Sequence, residues 1–164
     1  MAYLLDTNVL IAAKNTYYGF DFCAAFWDWL DVAHQAGAVF SIERVYDELV
    51  AGDDELTTWC ETRRSFFLPL GPDDVRAVAT VNRWANDSTE YDPPAKAQFA
   101  DAADSFLIAQ ALAGHHTVVT HEHISDGRKR IKIPNAASAH GVPWCNVFHM
   151  LRVERARFVL GQVS

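Results

Sequence analysis

The sequence is poor in cysteine and in positive charge, and it has no long apolar run. Its three cysteines are widely spaced among 164 residues, which argues against a disulfide framework and against a cysteine-based zinc site. No apolar run approaches the ~18 residues of a membrane span, and the N-terminus lacks a basic segment. We therefore expect a cytoplasmic protein with no membrane contact.

The scarcity of positive charge also restricts the binding partners. Lys and Arg total 14 against 21 Asp and Glu, which gives a net charge of -7. A field of this sign repels phosphate polymers unless cations or a local basic patch offset it, so a nucleic-acid role requires metal ions. The sequence also lacks a P-loop, a Gly-x-Gly-x-x-Gly and a Gly-x-Ser-x-Gly motif.

Short apolar runs alternate with longer helical stretches along the chain. With 50% apolar residues, the composition and length predict one compact domain spanning residues 1–164. Strands separated by helices indicate a parallel sheet covered on both faces, hence an α/β, three-layer α-β-α sandwich with four or five strands. The predicted strands are Ala2–Leu5, Val39–Ile42, Phe66–Leu70, Thr117–Thr120 and, more weakly, Val142–Val147.

Two acidic residues follow predicted strands. Asp6 comes directly after the first strand, and Glu122 follows Thr120 with one residue between. Ligand sites of open parallel sheets lie beyond the carboxyl ends of the strands, so both side chains are expected at one crevice. An ordinary helix N-cap remains an alternative role for Asp6, as it does for Thr7 and Asn8.

A predicted helix over Phe99–Ala113 carries two further aspartates, after a loop predicted over 86–96. At helical spacing, Asp101 and Asp104 fall on the same arc as the apolar residues. A carboxylate turned toward a core must be neutralised, paired or bound to a cation. A structural ion pair with an arginine remains open for Asp104.

Glu48 lies in a short predicted helix over Ile42–Val50, with Ser41 as its expected cap. It borders the apolar stripe of this helix, whereas Glu43 and Asp47 fall on the opposite side. Glu48 is therefore the acidic residue of this helix that can turn inward.

This ordered set resembles the PIN-domain ribonucleases over residues 2 to about 160. The motif elements are Leu4-Leu5-Asp6-Thr7-Asn8, Glu48, Asp104-Ser105-Phe106-Leu107-Ile108-Ala109 and Val118-Val119-Thr120-His121-Glu122. A glutamate as the fourth acid, followed by a basic stretch and Ile133-Pro134, is most similar to a prokaryotic PIN-like branch.

The resemblance implies an endoribonuclease that hydrolyses phosphodiester bonds with Mg²⁺ or Mn²⁺. Asp6, Glu48, Asp104 and Glu122 would be the catalytic, metal-binding acids, with Asp101 as a further ligand. Thr7, Asn8 and Thr120 would orient them. The RNA backbone would be held by the basic run that follows Glu122, namely Arg128, Lys129, Arg130 and Lys132, with a solvated loop as the open alternative. A homodimer, and a toxin with a cognate antitoxin, are the implied partners.

Other interpretations remain open at this stage. A haloacid dehalogenase-like phosphohydrolase also begins with a strand-end aspartate, although it expects a second aspartate where this chain has Asn8. A PIN-like module that binds RNA or protein without cleavage is a non-enzymatic alternative. His121 and His123 suggest zinc or surface residues, and Asp126 is a spare acid near the site.

Overall fold

The structure, a computed structural model, describes residues 1–161, so the last three residues of the predicted domain lie outside the described residues. Within this range, short strands are separated by helices. The strands are β1 (Tyr3–Leu5), β2 (Val39–Ile42), β3 (Phe67–Leu68), β4 (Thr117–Val119) and β5 (Trp144–Cys145). They form one sheet in the order β3-β2-β1-β4-β5, and every pair of neighbours is parallel.

Helices connect the strands and cover both faces of the sheet, which confirms the predicted three-layer α/β sandwich. The helices are α1 (Thr7–Ala12), α2 (Ala24–Gln35), α3 (Glu43–Val50), α4 (Glu55–Glu61), α5 (Pro72–Asp87), α6 (Pro93–Asp101), α7 (Ala103–Gly114), α8 (Ile133–Ala139) and α9 (Val147–Val153). A π-helical segment extends α1 over Ala13–Tyr17. In residues 1–161, no helix is long and apolar enough to cross a bilayer.

The middle of the sheet is apolar because it is buried on both faces. Leu4 and Leu5 of β1 and Val118 and Val119 of β4 have no exposed surface. The third strand is shorter than predicted, since Phe66 belongs to a 3-10 turn and Pro69 has no N–H to continue the ladder.

The predicted loop over 86–96 is mostly helical. The helix α5 continues to Asp87, and α6 begins at Pro93, where Pro93 and Pro94 occupy first-turn positions that need no N–H donor. The irregular segment therefore shrinks to residues 88–92.

The helix predicted over Phe99–Ala113 is divided in two. Ala102 has an extended backbone with φ -79° and ψ 165°, so α6 ends at Asp101 and α7 begins at Ala103. Asp101 and Asp104 consequently lie on different helices. The expectation that Asp101 shares the inward arc of Asp104 is wrong, and Asp101 is exposed.

Ser41 is not the cap of α3, as the sequence predicted. The helix begins at Glu43, and Ser41 is a fully buried residue of β2 whose hydroxyl donates to the Leu5 carbonyl at 2.6 Å. This bond ties β2 to the end of β1, directly before Asp6.

Removing the Ser41 hydroxyl should destabilise the protein. We expect Ser41→Ala to lower the free energy of unfolding by about 1–3 kcal/mol, because a buried hydrogen bond is lost. Thr58→Ala, which removes an exposed hydroxyl from α4, should change it by less than about 0.5 kcal/mol. Urea denaturation of both variants measures this, and equal effects would contradict the assignment.

Candidate active site

The candidate site lies at the carboxyl edge of the sheet, where the strand order reverses. The chain leaves β1 toward β2 on one side, and β4 lies on the other side of β1. Such a switch point is where open parallel sheets form a crevice. Asp6 follows β1 and Thr120 follows β4, and the Thr120 hydroxyl donates to Asp6 Oδ2 at 3.2 Å across this crevice.

A pocket of about 160 Å³ opens at this point. Three of the four predicted catalytic acids line it, namely Asp6, Glu48 and Asp104. Arg130 lines it as well, so one cation lies among the carboxylates. The remaining wall comes from Thr7, Asn8, Ala95, Gln98, Phe99, Ala102 and Ile131.

Asp6 is the most strongly perturbed carboxyl of the site. It is 2% exposed, and its pKa is raised to about 8, first by burial and then by the charges of Asp104, Glu122 and Glu48. The hydrogen bond from Thr120 opposes this rise but does not offset it. The ionised form of Asp6 therefore costs free energy unless a cation is present.

Asp104 stands in the first turn of α7 and is half-buried. Its pKa is raised to about 6, chiefly by burial and next by the charge of the neighbouring Glu122. The positive charges of Arg130 and Lys132 lower the pKa of the same carboxyl. Asp104 is thus a desolvated acid that is repelled by neighbouring carboxylates and partly stabilised by neighbouring cations.

Both carboxylate oxygens of Glu48 accept hydrogen bonds from other parts of the fold. Its Oε2 accepts a hydrogen bond from the Thr7 hydroxyl at 2.6 Å, and its Oε1 accepts from the Ala103 N–H at 3.0 Å. Ala103 is the first residue of α7, so Glu48 satisfies a free N–H at a helix N-terminus. The residue as a whole is exposed, although its carboxylate reaches the pocket.

Both carboxylate oxygens of Glu122 also accept hydrogen bonds. Its side chain is 9% exposed, and its Oε1 accepts from Arg130 at 2.8 Å. Its Oε2 accepts from the N–H of Ile133, the first residue of α8, at 2.7 Å. Both carboxylate oxygens of Glu122 therefore have protein partners, and Glu122 is not part of the pocket wall.

The four predicted acids thus divide into two pairs. Glu48 and Glu122 each bind the first N–H of a helix, whereas Asp6 and Asp104 are desolvated. Across residues 1–161, no three His, Cys, Asp or Glu side chains lie close enough to ligate one ion. The two desolvated carboxylates nevertheless fit Mg²⁺, which usually takes one or two carboxylates and completes its shell with water and phosphate oxygens.

Two other acids lie outside this pocket. Asp101, predicted as a further metal ligand, is exposed at the end of α6 and is not part of the pocket wall. The break at Ala102 turns it away. Asp126 is exposed and lines a separate cavity with Arg128.

The predicted orienting residues differ in what they do. Thr120 binds Asp6, and its hydroxyl also accepts the Glu122 N–H at 3.1 Å. Thr7 binds Glu48 and so acts one step away from the desolvated pair. Asn8 is exposed and lines the pocket.

The basic residues of the stretch 128–132 do not all line one cavity. Arg128 donates to the Thr89 carbonyl at 3.0 Å and forms an ion pair with Asp92 at 3.5 Å, away from the pocket. Lys129 is exposed. Arg130 lines the pocket, and Lys132 precedes α8 in an adjoining groove.

The two histidines beside Glu122 are not arranged as a zinc site. The His121 ring packs between Tyr17 and Phe148, with centroids 5.5 and 5.9 Å away, and His123 is exposed. Burial lowers the pKa of His121, which favours the neutral ring. His121 is therefore a packing residue.

Sequence reasoning missed Gln98 in the pocket wall. It lies on α6, whose first half was predicted as a loop. Two prolines directly after Asp92 are typical of a helix start and could have placed this helix correctly.

The family comparison matches nearly the whole chain. A family described as "Domain of unknown function (DUF4411)" matches residues 3–158. The chain belongs to the DUF4411 family. No curated protein sequence matches it.

Solved structures similar to this DUF4411 chain show its fold. VapBC2 from Rickettsia felis, bound to a DNA fragment from their promoter, has 14% identity and a TM-score of 0.56, covering 89% of this chain and 98% of that chain. FitAcB from Neisseria gonorrhoeae has 18% identity and a TM-score of 0.54, and the match covers 90% of this chain and 99% of that chain. The predicted PIN-like fold is confirmed.

The raised pKa values predict a pH dependence of stability. A carboxyl that binds its proton more tightly when folded destabilises the native state as pH rises from its unfolded pKa to its folded pKa. For Asp6 this window runs from 3.8 to about 8. Without divalent ions, the free energy of unfolding should therefore fall between pH 5 and pH 8, and Asp6→Asn should reduce that fall.

Chemical denaturation in EDTA at several pH values measures this effect. Asp101→Asn is the matched control, because it removes one carboxylate from an exposed position outside the pocket. If the stability of wild type and Asp6→Asn changes equally with pH, the desolvation of Asp6 is contradicted.

Proposed function

We propose that this protein is a metal-dependent endoribonuclease that hydrolyses RNA phosphodiester bonds. The observation that carries the proposal is the pair Asp6 and Asp104, two desolvated carboxylates in one pocket at the switch point of the sheet. Perturbed acids in a pocket at this position favour a catalytic site over a structural ion pair. The PIN-like fold favours this function over a haloacid dehalogenase-like phosphohydrolase.

Asp6 and Asp104 would hold the cation. Their oxygen-only donor set suits Mg²⁺ or Mn²⁺, and substrate phosphate oxygens and water would complete the shell. When bound, the ion supplies Lewis-acid stabilisation of charge on the phosphoryl group and a more acidic water. Hydrolysis joins the oxygen of water to phosphorus and breaks the bond from phosphorus to the leaving ribose oxygen. The water gives up a proton and the leaving oxygen takes one up, so the attacking group is water and no protein nucleophile is required.

The other side chains fix these two carboxylates in place. Thr120 holds Oδ2 of Asp6, and Asp6 N–H donates to the Val119 carbonyl at 3.0 Å. Glu48 holds the N-terminus of α7, on which Asp104 stands. Preorganised groups of this kind lower the reorganisation needed during reaction. The roles proposed for Glu48 and Thr120 are therefore positional.

Partners follow from the PIN-like resemblance. We propose that the protein is the toxin of a toxin–antitoxin pair and that it forms a homodimer. Co-purification with the product of a small neighbouring reading frame tests the first statement, and sedimentation analysis tests the second.

Cleavage of a labelled single-stranded RNA tests the proposed activity. Wild type should cleave with Mn²⁺ or Mg²⁺ and not with EDTA. Asp104→Asn should lower the rate by at least about 100-fold, since losing even an outer contact of a metal site costs 10- to 100-fold. Asp101→Asn, three positions earlier and exposed, should retain the wild-type rate.

Circular dichroism of each variant checks that the fold is kept. If folded wild type leaves RNA intact with either ion, or if folded Asp104→Asn still cleaves at the wild-type rate, the nuclease proposal is wrong. The second result would favour a module that binds without cleavage.

Divalent ions should also stabilise the protein, because they bind the native carboxylate pair. At about 100 times its dissociation constant, an ion adds about 2.7 kcal/mol to the free energy of unfolding. Thermal unfolding with Mn²⁺ or EDTA measures the shift. Asp104→Asn should be more stable than wild type in EDTA and respond less to Mn²⁺, and a melting temperature of wild type indifferent to Mn²⁺ contradicts the cation site.

A further inference from the structure

Arg130 stands between two neighbouring cavities. It lines the carboxylate pocket together with Asp6 and Asp104, and it also lines a groove of about 490 Å³ formed with residues 121–125 and Lys132. Asn8 is the other residue common to both walls. A chain running from the groove into the pocket would therefore pass over Arg130.

The position of Arg130 is fixed by Glu122. Glu122 is 9% exposed and is held at three points, by the Arg130 guanidinium at 2.8 Å, the Ile133 N–H at 2.7 Å and the Thr120 hydroxyl at its own N–H. A carboxylate bound to the first N–H of a helix is well oriented. It can therefore hold the arginine at the mouth of the pocket.

The guanidinium of Arg130 has donors left over. It carries five N–H groups in a planar fork, and within residues 1–161 its hydrogen-bond partner is Glu122 alone. The side chain is 46% exposed, so its remaining edge is open to a ligand. Such an edge matches two oxygens of a phosphate.

The neighbouring basic residues lack this arrangement. Arg128 is engaged with Asp92 and the Thr89 carbonyl beside a different cavity, and Lys129 is exposed outside both cavity walls. The chain has a net charge of -7, and Arg130 lies beside two acidic side chains of the pocket. Arg130 is therefore unfavourably placed to attract RNA over a long distance. It is well placed to bind one phosphate there.

We infer that Arg130, anchored by Glu122, binds the non-bridging oxygens of a nucleic-acid phosphate at the mouth of the carboxylate pocket. Glu122 is then a positioning residue that acts through Arg130, and its function differs from that of a metal ligand. The inference rests on the proposed function, because it names how the substrate phosphate reaches Asp6 and Asp104.

Binding without metal isolates the role of Arg130. The affinity of wild type for a fluorescein-labelled single-stranded RNA is measured by anisotropy in EDTA at several salt concentrations. Arg130→Gln should weaken binding about tenfold and reduce the slope of log K against log salt by about 0.7, as loss of one phosphate contact to a single strand does. Lys129→Gln, which removes the same charge one position away, should change both quantities less.

The geometry of the fork is tested by Arg130→Lys. This variant keeps the charge but has no planar fork with which to bind Glu122 and a phosphate together. We expect its RNA affinity to fall toward that of Arg130→Gln, with the melting temperature kept. Equal binding by wild type, Arg130→Lys and Arg130→Gln overturns the inference, as does an equal loss in Lys129→Gln.

Glu122→Gln separates positioning from metal ligation. If Glu122 is a ligand of the ion, Glu122→Gln binds Mn²⁺ more weakly, as Asp104→Asn should. If Glu122 instead positions Arg130, the Mn²⁺ affinity measured by titration calorimetry is unchanged. Removing a negative charge should by itself tighten RNA binding, whereas loss of the anchor weakens it. Weaker RNA binding with unchanged Mn²⁺ affinity supports the inference, and tighter RNA binding or weaker Mn²⁺ binding overturns it.

These readouts are independent of turnover. If wild type does not cleave RNA with Mn²⁺ but Arg130→Gln still loses affinity selectively, the nuclease proposal fails and the phosphate site stands. If wild type cleaves and Arg130→Gln binds and cleaves normally, the nuclease proposal stands and the role of Arg130 fails.

Discussion

The site depends on the desolvation of one carboxylate at the end of the central strand. Asp6 follows a strand that is buried on both faces, and its backbone is held by the neighbouring strand β4. This pairing fixes the Asp6 backbone where its side chain is buried, and Asp104 adds repulsion from α7. A fold that keeps such a group favours either a bound proton or a bound cation.

The remaining carboxylates show how the chain limits this repulsion. Glu48 and Glu122 each accept the first N–H of a helix, so their negative charge is stabilised by hydrogen bonds and by the positive end of the helix. The same contacts fix the starts of α7, which carries Asp104 into the pocket wall, and of α8. Charge repulsion is therefore concentrated on Asp6 and Asp104, where a cation relieves it most.

Two of the basic residues in the stretch 128–132 place positive charge near the site. Of the four basic residues in the stretch 128–132, Arg130 and Lys132 lower the pKa of Asp104, whereas Arg128 binds the segment before α6. This arrangement gives an acidic protein a local patch at the pocket mouth. In the proposed function, two cations close to the pocket would have a larger effect on a phosphate than distant charges screened by salt.

Sequence patterning was sufficient for the sheet and for part of the site. Alternating apolar runs and helices determine a parallel sheet, and a parallel sheet brings the ends of β1 and β4 together, so the nearness of Asp6 and Thr120 was predictable. The inward face of Asp104 followed from helical spacing. Spacing failed for Asp101, because the break at Ala102 is stabilised by Glu48, which lies 55 positions from Ala103 in the chain.

Long-range contacts decided the rest. Whether a carboxylate has a hydrogen-bond partner depends on which donor reaches it. The donors to Glu48 and Glu122 include the first N–H of a helix and an arginine, and local periodicity does not locate them. The amino-acid sequence by itself determined the fold class and placed Asp6 and Asp104 at the crevice, because burial follows from local pattern. Only the tertiary structure decided which acids stay desolvated, because hydrogen bonds between distant segments set their charge balance.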